Sequence, residues 1–81
     1  MLGKLKTQPG AAFGRVLRSL RKERGVSQED LALEADLQRN YVSLIERGVN
    51  QPTITTIFKL ALALKMRPSE MIARVEVETK L

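Results

Sequence analysis

Three residues, Asp36-Leu37-Gln38, constrain this 81-residue chain more than any other feature, because they are all that separates two helical patterns. Upstream, "SQEDLALEA" opens with Ser27, whose hydroxyl caps free N–H groups, and Asp30 stands in the capping-box position three residues on. Leu31, Ala32 and Ala35 supply inward contacts, so a short helix is expected over residues 28–35. Downstream, a second amphipathic pattern runs from Gln38 to Arg47 and stops at Gly48. A link this short forces the two helices to cross steeply.

The second helix has two different faces. At about 100° per residue, with Arg39 at zero, Ser43 falls near 40°, Arg47 near 80° and Asn40 near 100°. Val42 and Ile45 fall near 300° and 240°, on the opposite, core-facing side. Arginine pairs with guanine O6 and N7, asparagine with adenine N6 and N7, and serine adapts to either. The set therefore suits a major groove, and it lies toward the end of the helix that docks there. An ordinary solvated face has a similar composition, so this helix alone does not decide between the two.

The rest of the chain reads as helix and turn. Residues 1–10 end in Pro9-Gly10, a turn pair, and are expected to form a flexible arm. Phe13, Val16, Leu17 and Leu20 then mark a helix over residues 11–24, stopped by Gly25. Thr53 caps a fourth helix with Ile54, Ile57, Leu60, Ala61 and Leu64 as its inward stripe. Pro68 suits the first turn of a fifth, over residues 68–74, where Met71 and Ile72 close the core. The tail, residues 75–81, alternates apolar and polar as a strand does, but has no partner strand in the chain. The expected fold is all-α, with one domain of five short helices over residues 11–74. Leu33, Leu44 and Leu62 are expected to face outward.

Composition narrows the chemistry. Without cysteine or histidine there are no disulfides, no zinc-finger ligands and no imidazole acid–base catalysis. Serines and threonines lack a histidine base and the carboxylates show no metal-ligand spacing, so neither an enzyme nor a metal site is expected. Net charge is +5. Residues 1–26 carry seven Lys and Arg against Glu23 alone, whereas residues 27–65 sum to −1 and residues 66–81 to zero. A polyanionic partner is favoured by the net charge, although the basic surface of the first helix reads rather as plain solvated surface. No apolar run reaches the ~20 residues that span a bilayer, and a cytoplasmic location is expected.

At this point the chain resembles a family. "SQEDLALEADLQRNYVSLIERGVNQPTITTIFKLALAL", preceded by "LRSLRKERG", is similar to the lambda-repressor-like, Cro-type (XRE) helix-turn-helix regulators, which include restriction–modification controller proteins. The resemblance spans residues 12–73 and rests on Ser27-Gln28, Leu31-Ala32, Glu46-Arg47-Gly48, Pro52, Leu60-Ala61 and Leu64. It implies a five-helix DNA-binding domain with Arg39, Asn40 and Ser43 as base readers. It makes Gln28 a phosphate contact, and Tyr41, Arg47, Asn50 and Thr53 backbone contacts that set register. It also implies a structural ion pair between Arg21 and Glu46.

Two positions depart from the family pattern. Asp36 stands where glycine is usual in the turn, and tolerates the left-handed conformation. Gln38 stands where Ser or Thr would cap, which frees it as a further base contact. Regulators of this kind and size act as homodimers on double-stranded DNA, and Phe58, Leu62, Val75 and Val77 are the expected dimer seam. No cofactor or small-molecule ligand is implied. The alternatives are an antitoxin that represses its own operon and wraps a toxin, and a protein-interaction module with the same fold but no DNA readout.

Overall fold

The computed structural model describes residue 5 and residues 7–80. It consists of α1 (Pro9–Arg24), α2 (Gln28–Ala35), α3 (Arg39–Glu46), α4 (Ile54–Ala63) and α5 (Pro68–Thr79). Among the described residues there is no strand. The longest helix, α1, packs against both α3 and α5; α2 packs against α3 and α4, and α4 against α5. The core between them holds Phe13, Val16 and Leu17 of α1, Leu31 of α2, Val42 and Ile45 of α3, Leu60 of α4 and Met71 of α5.

Local chemistry explains the boundaries. Ser27 Oγ accepts the backbone N–H of Asp30 at 3.0 Å, and Thr53 Oγ1 accepts that of Thr56 at 3.1 Å, so each cap starts its helix where a free N–H needs a partner. At the start of α5 the roles reverse, with the Arg67 N–H donating to Glu70 Oε1 at 2.8 Å. The turn between α2 and α3 is a Schellman-type closure: Asp36 is left-handed at φ 57°, and the Leu37 N–H reaches back to Ala32 O at 2.8 Å. Aspartate thus fills the place usually given to glycine, and the tight turn forms.

Several expectations need correction. Pro9-Gly10 is not a turn; Pro9 occupies the first helical position, where its missing N–H costs nothing, and α1 begins there. Of the remainder of the arm, residues 1–4 and 6 lie outside the described residues. The tail is not strand-like. Helix α5 continues to Thr79, because Met71, Val75 and Thr79 repeat every four residues and all three are buried. Thr79 is tolerated there because its hydroxyl donates to Glu76 O at 2.6 Å.

Ile54 and Ile72 are not core residues; they are 71% and 43% exposed. Ile54 sits with Phe58 and Leu62 on a strip rotated away from the Ile57-Leu60-Ala61-Leu64 face. Leu33 and Leu62 face outward, whereas Leu44 is half-buried.

Candidate nucleic-acid interface

Helix α3 enters the structure through Gln38, whose backbone is extended and whose side chain makes no capping hydrogen bond. Its amide is therefore not committed to the fold. Arg39 and Asn40 follow on the first turn and Ser43 on the next, with Gln38, Arg39 and Asn40 exposed and Ser43 half-buried. Arg47, the C-capping residue just past the helix, is exposed as well. Val42 and Ile45 are wholly buried, so the helix presents one polar edge outward and anchors the other in the core.

The residues around this edge differ in how free they are. Tyr41 is half-buried, with Oη 3.5 Å from Thr56 Oγ1. Thr53 is exposed, but its hydroxyl is doubly committed, accepting from the Thr56 N–H and donating to Thr56 Oγ1 at 3.0 Å. Asn50 is half-buried in the loop after α3, with its backbone N–H bonded to Leu44 O at 3.3 Å. On the other side of α3, Gln28 opens α2, and with Arg21, Ser27, Glu29 and Arg39 it lines one open polar cleft.

Behind the cleft lies the buried charge of the molecule. Glu46 Oε2 accepts from Arg21 Nε at 2.6 Å, and Oε1 accepts from Arg21 Nη2 at 3.1 Å and from Gln28 Nε2 at 3.0 Å. Arg21 Nη1 donates to Val26 O at 2.9 Å. The hydrogen bonds it donates to Glu46 raise the guanidinium's pKa above its ordinary value, with burial opposing and the carboxylate's charge assisting. No buried side-chain polar atom among the described residues lacks a partner, as burial demands. The bond from Gln28 to Glu46 is not legible in the sequence, since nothing in spacing says which way the glutamine turns.

The four residues expected at a dimer seam do not lie on one surface. Phe58 and Leu62 are 51% and 68% exposed, and share their strip with Ile54. Val75 is only 7% exposed and belongs to the core, where it lines the floor of the cleft that Ile72 borders. Val77 is exposed but faces a groove between α5 and α1 lined by Arg15, Ser19, Arg74 and Glu78. Ile72 borders a different cleft, with Pro52 and Ile57, on the α4 side of α5.

Among the described residues, no group of acidic side chains is placed to hold a metal ion, and no helix is long and apolar enough to cross a membrane.

Known proteins share this architecture. The control protein C.BamHI of Bacillus amyloliquefaciens is 39% identical over 61 residues, covering 74% of this chain and 75% of its own length. The crystal structure of the restriction–modification controller protein C.AhdI from Aeromonas hydrophila is 44% identical, with a TM-score of 0.73 over 75% of this chain and 92% of that one. The controller protein C.Esp1396I, solved as a tetramer in complex with its natural 35 base-pair operator, is 26% identical with a TM-score of 0.83, over 94% of this chain and 100% of that one. The profile of the Helix-turn-helix family matches residues 17–71, from the middle of α1 to the buried Met71 of α5, and so takes in the capped α2, the Asp36 turn and the polar edge of α3. The chain belongs to the XRE-type helix-turn-helix family.

Proposed function

We propose that this chain is a sequence-specific, double-stranded DNA-binding transcriptional regulator that acts as a homodimer on a roughly palindromic operator. The observation that carries the reading is the exposed edge of α3, where Arg39, Asn40 and Ser43 stand together on the second helix of the motif. In this reading Arg39 pairs with guanine, Asn40 with adenine, and Ser43 and the uncapped Gln38 adjust to neighbouring bases. Gln28, Tyr41, Arg47 and Asn50 grip the phosphates on either side. Thr53, its hydroxyl already committed to Thr56, contacts the backbone through its main chain.

The dimer seam is the strip Ile54-Phe58-Leu62 of α4 with Ile72 of α5, in place of Val75 and Val77. An isologous contact there covers four of the large apolar side chains that the fold leaves exposed. It sets the two α3 helices into successive major grooves, with half-sites about 10 bp apart or a multiple of that. Relatives named as controller proteins support restriction–modification control, with autoregulation, over an antitoxin role. The function asks for no catalytic group.

Fluorescence anisotropy with the duplex immediately upstream of the chain's own reading frame tests the reading. Tighter binding to that duplex than to a shuffled one, by about 10³-fold or more at physiological salt, is expected. Equal affinity for both overturns it.

A further inference from the structure

The Gln28–Glu46 bond has a consequence for DNA binding. Glu46 ends α3 with its side chain only 3% exposed, and its carboxylate joins α1, α2 and α3 at one point. A carboxylate only accepts hydrogen bonds, so the Gln28 amide must turn its nitrogen toward Glu46. One N–H is then held at 3.0 Å by Oε1, while the second enters no hydrogen bond among the described residues. Gln28 at the same time lines the open cleft beside Arg39. A phosphate, too, only accepts, and so requires that remaining N–H.

We infer that Glu46 is a positioning residue for the DNA backbone contact: by holding one N–H of the Gln28 amide, it orients the other toward a phosphate in the cleft beside Arg39. This rests on the DNA-binding function proposed above. A long, flexible glutamine ordinarily loses rotamer freedom when it meets its ligand. Here that loss occurs on folding, and the contact is made by a side chain already in place. The carboxylate that neutralises Arg21 thereby also sets the strength of a contact made through α2.

The test uses a mixed-sequence duplex of about 20 base pairs at low salt, because a phosphate contact is independent of sequence. Affinities of the wild type, Gln28→Ala, Glu46→Gln and the double variant are measured at a temperature where circular dichroism shows each one folded. Each single change is expected to weaken binding roughly three- to tenfold, and the double change no further than either alone. If the wild type binds and the losses multiply, or Glu46→Gln binds like the wild type, the positioning role is overturned while the DNA reading stands. A wild type that binds no duplex overturns both.

Should Glu46→Gln fail to fold, proton–nitrogen spectra of glutamine-labelled wild type decide the question. One Gln28 side-chain proton is expected far downfield in the free protein and unmoved by the duplex, with only its partner proton responding. Two protons at the shifts of a solvated glutamine, or a duplex that releases the downfield one, overturn the inference.

Discussion

Arg21 and Glu46 meet at 2.6 Å with side chains only 12% and 3% exposed, and they tie the end of α3 to α1. The other two ion pairs among the described residues, Arg15 with Glu78 and Arg74 with Glu23, join α1 to α5 at the surface with every side chain at least 41% exposed. Burial decides their worth. Removing Glu46 leaves a guanidinium out of water without its charge partner, so Glu46→Ala should destabilise the fold by about 3–5 kcal/mol. Glu78→Ala and Glu23→Ala should each cost under ~1 kcal/mol. Urea unfolding of the three variants separates the cases, and similar midpoints for all would contradict the ranking. Since the pair raises the pKa of Arg21, the guanidinium's share of the stabilisation is present below its ordinary range and is lost only as pH rises beyond it.

A second prediction concerns the seam between α1 and α3. A Cβ on Gly14 would fall inside contact distance of the Ile45 carbonyl oxygen and 2.7 Å from that of Glu46, both backbone atoms that cannot swing aside. Gly14→Ala should therefore push the helices apart at a cost of about 1–3 kcal/mol. Gly25 is the control, because it has open space around it but a φ of 70°. Gly25→Ala should cost about 1 kcal/mol from backbone strain alone. Thermal melts in which Gly25→Ala is the more damaging change would reject the close-approach account.

Contacts to bases and to phosphates should respond differently. Arg39→Ala is expected to cost about 1–3 kcal/mol on the cognate duplex and to relax preference at one base pair. Arg47→Ala should weaken cognate and random duplexes alike and reduce the salt slope by about one. Equal losses on both duplexes for Arg39→Ala would remove it from base readout.

The proposed dimer seam makes a prediction that discriminates between the two flanks of α5. Sedimentation at micromolar concentration should find Leu62→Glu and Ile72→Glu monomeric, and Val77→Glu as dimeric as the wild type. Loss of the dimer with Val77→Glu alone would move the interface to the groove beside Arg15 and Ser19.

The helices were legible where a cap or a stripe announces them, as at Ser27, Thr53 and Pro68, and the turn was legible because three residues leave few paths. The tail misled because Val75, Glu76, Val77 and Glu78 alternate like a strand. The helical signal there runs through Thr79, a polar residue that enters the core only because Glu76 O satisfies its hydroxyl. Ile54 and Ile72 misled for the opposite reason. Hydrophobicity marks a residue as able to be buried, but which apolar positions neighbouring helices cover depends on how those helices pack. At the candidate interface the polar edge of α3 could be read from a wheel, whereas the tie from Gln28 to Glu46 is a matter of side-chain direction that spacing does not encode.

Selection of bound duplexes from a randomised library by the full chain tests the central claim most directly. An inverted repeat, its half-sites centred about 10 bp apart or a multiple of that, is the predicted outcome, and Arg39→Ala should lose selectivity at one position in each half. A bound pool with no preferred sequence, or one whose preference is unchanged by Arg39→Ala, would contradict it.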